Sequence, residues 1–473
     1  MNVAIPSPTA PKPVTLITPE EANPLQILGF TLLQGFVFLS CSRLSDLYLA
    51  PLHLPFIFST LALIFMLLSG GLWRAASTTP ARLLLAFTAW MVFVLPFSIW
   101  KGGSWGMLRD DWSRAISTFL VVAGLTVTLS NCRRIMGAVL LGTTTAGLIA
   151  LLKNHRPGGR LALPVGLFSN SNDMAQMMLF ALPLTALFWG KGVFKSLLSV
   201  ASFGILLLVV LGSGSRSALL AIGVLLLLVF IRSSATHRLL IVIAAMVAAM
   251  MAIAIVPRST LMRYATIFGG SSDVQIAESE EDAASLTRTA SALESSESRR
   301  KLFFRSLELT VRNPIFGVGP GVFQVAASDL SQERGERSMW LETHNAYTQV
   351  SSETGIIGAV LYIGVVITCF RSIIRLERES RKHKSLLELT RMCQAMLFAL
   401  TSFAVTAFFS SIAYKFMFPM ILAVAVALVR AGQFRLQTEA RNAPASDAAE
   451  SPSGPRRRPF RPSWGAPKFR PTR

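Results

Sequence analysis

Charge is scarce in this sequence. Only 15% of its 473 residues are Asp, Glu, Lys or Arg, and 52% are hydrophobic. A soluble protein carries nearer a quarter charged, so the balance excludes an ordinary water-soluble domain and points to lipid as the solvent. Acid is scarcer still: 25 Asp and Glu stand against 45 Lys and Arg, and 13 of those 25 fall within residues 258–353. Cysteine is limited to Cys41, Cys132, Cys369 and Cys393, without CxxC spacing. Neither a disulfide framework nor a thiolate metal site is expected from them. No internal repeat is visible, and the paired broken helices of an inverted-repeat transporter leave no sequence symmetry. Histidine is rare too, with five in the chain.

Long apolar runs are abundant. Membrane-spanning lengths recur near 25–41, 51–70, 82–100, 115–130, 135–152, 173–189, 193–212, 216–232, 238–257, 355–372, 393–411 and 414–431, predicting an all-α polytopic membrane protein with about twelve spans. Lys and Arg set its orientation. With the N-terminus inside, the inside loops carry Arg74, Arg82, Arg133, Arg134, Lys191, Lys195, Arg232 and Arg238, then a run from Arg371 to Arg391. The acidic stretch 258–353 falls outside. The expected organisation is a disordered cytoplasmic leader at 1–24, spans 1–9 over 25–257, a large periplasmic loop at 258–353, spans 10–12 over 354–432, and a basic disordered tail at 433–473. The leader has no basic segment ahead of an apolar core, so it is not read as a signal peptide. The +20 net charge is mostly this inside bias plus the tail, whose arginines suit anionic lipid headgroups. Aromatic interleaving is sparse, and no nucleic-acid partner is expected.

Two outside segments break the charge rule. One holds Lys153, Arg156 and Arg160, followed by Gly166–Asp173. The other is Gly212–Ser217, where Arg216 sits between two apolar runs at the membrane interface. An arginine at that depth is costly unless it snorkels or meets an anion, and its planar fork suits bidentate phosphate contacts. A solvated loop or an interface anchor remains the plain alternative. In the long loop, Ser298 is placed to cap a helix over 299–312. Phe303, Leu307 and Val311 recur along it, giving an amphipathic helix suited to a membrane surface. Asn313-Pro314 ends it, and Gly317-Val318-Gly319-Pro320-Gly321 allows close backbone approach.

The densest polar cluster is Glu342-Thr343-His344-Asn345-Ala346-Tyr347, leading through Glu353-Thr354-Gly355 into an apolar helix. A histidine there can serve as a general base near neutral pH, although an interfacial anchor is the simpler reading. Glu342 or Glu353 can orient its imidazole, and the sequence does not choose between them. No His, Cys, Asp and Glu cluster has metal-ligand spacing, so no metal or other cofactor is expected.

Together these segments resemble the O-antigen ligase and O-antigen polymerase superfamily of bacterial envelope glycosyltransferases. The resemblance rests on Gly166–Asp173, Ser215-Arg216-Ser217-Ala218, Ser298-Arg299, Asn313–Phe323, His344-Asn345-Ala346-Tyr347 and Glu353–Gly358, in order, from about 160 to 360. Phe303 stands where the family often has tryptophan, and Ser169 and Ser171 interrupt its Asn-rich turn. The resemblance implies a GT-C-like fold and a metal-independent, inverting glycosyltransferase. Its donor would be a glycan on undecaprenyl pyrophosphate and its acceptor a hydroxyl of lipid A-core or of another glycan. The active site would face the periplasm from a bacterial inner membrane, in lipopolysaccharide or surface polysaccharide biosynthesis. It implies Arg216 and Arg299 on the pyrophosphate and His344 as base, with Arg160, Asn345, Tyr347, Glu353, Gly317 and Gly319 as substrate-binding positions. Polymerisation and transfer to protein hydroxyls share the same motifs. A lipid-linked sugar transporter, or an enzyme using Asp46 or Asp110-Asp111 as base, is the competing reading.

Overall fold

The computed structural model describes residues 23–190, 192–236, 297–336, 338 and 340–442, with 238–239, 241–243, 246, 250, 260–261 and 264. Among these there is no strand. The helices are α1 (Pro24–Ser42), α2 (Leu44–Tyr48), α3 (Leu54–Leu68), α4 (Gly71–Ala75), α5 (Thr79–Val94), α6 (Lys101–Met107), α7 (Ser113–Leu125), α8 (Leu129–Lys153), α9 (Ser171–Ala181), α10 (Val193–Gly212), α11 (Arg216–Arg232), α12 (297–312), α13 (Phe323–Glu333), α14 (Ala346–Ser380), α15 (Leu387–Ala407) and α16 (Met417–Asn442). Their starts follow local chemistry. Asn23, Thr78, Thr128, Asn170, Ser215 and Asn345 each accept a backbone N–H of the first turn, satisfying donors that have no intrahelical partner.

Among the described residues eight helices are long and apolar enough to cross a membrane: α1, α3, α5, α8, α10, α14, α15 and α16. They coincide with eight of the expected spans. Three others are helical but short. Segment 216–232 is the 17-residue α11. Segment 115–130 contains the 13-residue α7, which continues α6 through the π-helical stretch Leu108–Trp112; α7 alone, at 1.5 Å per residue, extends about 20 Å, under a hydrocarbon core. Segment 173–189 is the 11-residue α9 followed by a 3-10 turn at Leu182–Leu187, where Pro183 removes the next helical donor. Most of 238–257, the leader, residues 265–296 and the tail beyond Asn442 lie outside the described residues. Helix α16 continues past 433, where the sequence reading begins a disordered tail.

Helix α16 is the axis of the bundle, with 89% of its apolar window buried, and it packs on α7, α14, α8, α15 and α5. Exposed apolar side chains such as Phe56, Trp73, Leu152, Phe194 and Val360 lie on the outer helices, as a lipid-facing surface requires. Arg430, buried in α16, donates to the carbonyls of Arg74, Ala123 and Thr126 at 2.6–2.8 Å. It thereby caps the ends of α4 and α7, whose carbonyls lack partners of their own.

At the opposite end of the bundle a second, small core forms outside the helices. Leu302 and Leu309 of α12 pack with Val318, Val322, Phe323, Ala326, Ala327 and Leu330. Leu302, Arg305, Ser306 and Leu309 of α12 point inward, while Leu307 and Val311 of the apolar face are exposed together with Phe304, and Phe303 is half-buried. Helix α12 already includes Glu297, so Ser298 lies within it instead of capping it.

Helix α14 is broken at Gly355, whose φ of 72° and ψ of −177° belong to a region essentially closed to side chains. A Cβ there would stand 2.1 Å from the Ile315 carbonyl oxygen. Gly355→Ala is expected to lower stability by on the order of 3 kcal/mol or more. Thermal melting of the purified variant measures this, and an unchanged midpoint would contradict the break.

Candidate functional site

The site is assembled on that break. With its regular hydrogen bonding interrupted at Gly355, α14 leaves backbone groups free, and the loop after Asn313-Pro314 takes them. Val318 and Gly319 N–H donate to the Ser352 and Glu353 carbonyls at 2.9 Å, and Ile356 N–H donates to the Pro314 carbonyl at 2.8 Å. Trp90 Nε1 reaches the Thr354 carbonyl from α5 at 2.8 Å. The Glu353 side chain, 2% exposed, accepts from the Gly321 N–H at 2.8 Å and the Phe323 N–H at 3.2 Å. The latter opens α13, where a carboxylate is favoured. The Tyr414 hydroxyl approaches the same carboxylate without completing a well-angled hydrogen bond.

Glycine is required along this loop. A Cβ on Gly317 would lie 2.3 Å from the Glu353 backbone, and one on Gly319 2.0 Å from Ser98 Oγ. Both have positive φ. Gly317, Gly319 and Glu353, expected at substrate, are therefore occupied in holding the loop to α14. Both Glu353 oxygens accept backbone donors, so neither serves the His344 ring. Glu342 is exposed.

His344 precedes the N-terminus of α14 in a left-handed conformation, φ 54°, uncommon outside glycine. The adjoining contacts hold it there. Its N–H donates to Ser411 Oγ at 2.8 Å, and Thr343 Oγ1 meets the same hydroxyl at 3.1 Å. Asn345 Oδ1 accepts from the N–H groups of Tyr347 and Thr348 at 2.9 and 3.1 Å. The Tyr347 hydroxyl donates to the Ala404 carbonyl on α15 at 3.1 Å. Asn345 and Tyr347 thus position the segment that presents the imidazole. Burial, then the positive charges of Arg299 and Lys415, push the His344 pKa down to about 4. Protonation would add charge to a desolvated place already facing two cations, so the ring is neutral at neutral pH.

The Arg299 effect on His344 puts those two residues in one electrostatic neighbourhood, although 45 positions separate them in the sequence. Lys415 stands in the turn between α15 and α16. Its Nζ pairs with Asp173 Oδ2 at 3.1 Å, joining the α15–α16 turn to the start of α9. Beside Asp173, Asn172 Oδ1 accepts from Arg160 at 2.6 Å, while Arg160 Nε reaches the Ser213 carbonyl at 2.8 Å. That carbonyl lies three residues before Arg216, the half-buried first residue of α11. A continuous series of contacts therefore runs from the turn that bears Arg216, through Arg160 and the Asp173–Lys415 pair, to the environment of His344 and Arg299.

Two of the alternative carboxylates are paired with arginines, and Asp111 lies within electrostatic reach of Lys415. Asp46 pairs with Arg43 at 3.0 Å, and Asp110 holds Arg109 through two contacts of 2.9 Å. Arg43 also lies over the rings of Phe168 and Phe416, 5.3 and 5.4 Å from their centroids. It adds a further cation at this end of the bundle that sequence reasoning missed. Its only signal was its place at the end of an apolar run.

The described helices thus form an all-α bundle in which Arg299 and Lys415 bear on one neutral histidine. Residues 201–363 match the family described as O-Antigen ligase, and the chain thus carries a domain of the O-antigen ligase and polymerase superfamily. The match and the apolar helices support a multi-pass bacterial membrane protein and an enzyme of this kind. The matched stretch contains Arg216, Arg299, His344 and Glu353 but neither Arg160 nor Lys415. No curated protein matches the chain.

A neutral His344 has a chemical signature. Diethyl pyrocarbonate acylates unprotonated imidazole, so its rate at His344, followed by mass spectrometry, is expected to hold from pH 7 down to about 5. A free imidazole, with a pKa near 6.5, loses most of its rate over that range. A His344 profile that falls with the free imidazole would show that the ring is not depressed.

Proposed function

We propose that this protein is an O-antigen ligase-like glycosyltransferase that moves a glycan from undecaprenyl pyrophosphate to a hydroxyl of lipid A-core on the periplasmic face of the inner membrane. The observation that carries this reading is the neutral His344 ring lying in the field of Arg299 and Lys415. A base must be unprotonated to act, and a pyrophosphate needs preorganised positive charge as its bond to the sugar breaks. When the anionic donor enters, its charge opposes that of Arg299 and Lys415 and raises the basicity of His344, so proton uptake becomes favourable only with substrate in place.

In the reaction, the acceptor oxygen attacks the anomeric carbon and its proton passes to His344. The bond from that carbon to the pyrophosphate oxygen breaks, and the electron pair leaves with the pyrophosphate. Arg299 and Arg216 stabilise the departing charge, with Lys415 adding to the field. A single displacement inverts the anomeric configuration. Arg160, Asn345 and Tyr347 hold the surrounding segments in register, and arginine charge takes the part that a divalent metal plays elsewhere against this leaving group.

Asparagine tolerates the left-handed backbone at position 344, so His344→Asn separates chemistry from folding. With lipid-linked donor and purified acceptor, that variant is expected to lose about 10²–10⁴-fold in transfer rate while eluting and melting like the parent. Arg216→Lys, which loses the planar fork, is expected to be strongly impaired in the same assay. Full activity in either variant removes that residue from the mechanism.

Metal independence has its own test. Transfer in excess EDTA is expected to equal that in buffer. Loss of activity restored by magnesium or manganese would overturn it and turn attention to the carboxylates of Asp46, Asp110 and Asp111.

A further inference from the structure

At the end of the bundle away from His344, α9 stops early. Its α-helix ends at Ala181, and the 3-10 turn Leu182–Leu187 completes the descent. Two cavities open beside this shortened element. The larger, about 560 Å³, is walled by Ala186, Trp189 and Phe203; the smaller, about 220 Å³, by Leu187, Met392, Arg133 and Glu388. Arg391, in the second turn of α15, lines both. Its guanidinium is exposed and makes no hydrogen bond or ion pair among the described residues. The nearby acid is already engaged, since Glu388 Oε1 holds Arg133 at 3.1 Å, and Arg133 stacks over Phe188 at 5.6 Å. Two arginines against one glutamate leave this junction net positive. Trp189 and Phe203 are 60% and 44% exposed, on the basic side where an aromatic belt is expected.

We propose that this junction binds one anionic phospholipid, with its phosphate on Arg391 and an acyl chain in the larger cavity. A void in a bundle facing hydrocarbon fills with whatever matches its walls. Here the walls are mostly apolar, the hydroxyls of Thr185 and Ser199 being turned to backbone carbonyls, and they end at one cation, the chemistry of a lipid whose chain and headgroup meet there. Basic pockets between helices on this side of a membrane hold acidic headgroups, and the larger cavity has the size of a small-molecule site. The shape arises from a proline that shortens one helix, and the charge from an arginine that has no ion pair among the described residues.

The test is native mass spectrometry of the full chain, purified in detergent and titrated with phosphatidylglycerol, phosphatidylcholine or inorganic phosphate. One phosphatidylglycerol is expected to be retained per chain, with phosphatidylcholine held at least tenfold more weakly and phosphate alone not retained. Arg391→Gln removes the headgroup partner and Ala186→Trp fills the larger cavity, and each is expected to lower phosphatidylglycerol retention at least tenfold. Arg391→Lys keeps the charge and is expected to retain the lipid in part, which separates lost charge from misfolding. Equal retention by Arg391→Gln and the parent overturns the proposal. So does phosphate binding as tight as that of the lipid, since the acyl chain would then contribute nothing.

Discussion

The candidate site depends on one broken helix. A helix at membrane depth satisfies its own backbone, and an interruption is tolerated only where other protein groups meet the freed donors and acceptors. In α14 the interruption at Gly355 is met by the glycine loop from one side and Trp90 from another, and the Glu353 carboxylate fastens the far end of the same loop. Helix α12 enters this loop and α13 leaves it, so the latch also fixes where Arg299 stands. The short N-terminal part of α14 that remains above the break carries Asn345 and Tyr347, and His344 just before it. The polar cluster at this end is thus built upon a backbone defect, and the Glu353 side chain helps to hold that defect.

Electrostatics then separates this end of the bundle from the other. Arg430 shows that a buried arginine is not by itself a site. Its donors meet three main-chain carbonyls, so its charge is spent on helix ends. At this end of the bundle Asp173 is held by Lys415, Glu353 by backbone amides and Glu336 by Arg305, while the exposed Glu342 lies within electrostatic reach of Lys415 and Glu353. Burial first, and then the positive field of Arg299 and Lys415, holds the His344 ring neutral. Such a field favours an anion, and it changes the basicity of the histidine when one arrives. The scarcity of acid, visible first as a bare composition, has its physical consequence here.

Both ends also show how short helices create function. At the His344 end, the early termini of α9 and α11 allow Arg160 and the Asp173–Lys415 pair to bridge between turns. At the other end, the same shortness of α9 leaves cavities instead of contacts. A full-length span in that position would close both features at once.

What the sequence determined by itself was what local rules govern. Apolar runs identified the spanning helices, since length and hydropathy are properties of a segment. Asn313-Pro314 marked a helix end, though Ser298 did not mark a start, and the motif residues from Arg216 to Gly358 pointed to the family that the match over 201–363 supports. His344 stood out because polar clusters are rare beside apolar runs. The tertiary structure alone decided which face of α12 is buried, because Phe303, Leu307 and Val311 share the helical period with no record of where the neighbouring core lies. It also decided that Glu353 serves the loop and not the imidazole, since both choices are equally near in sequence. The Asp173–Lys415 pair joins positions 242 residues apart, and no local pattern announces such a contact. Pairing, burial and the sign of the field at His344 depend on long-range packing, and packing exists only once the chain has folded.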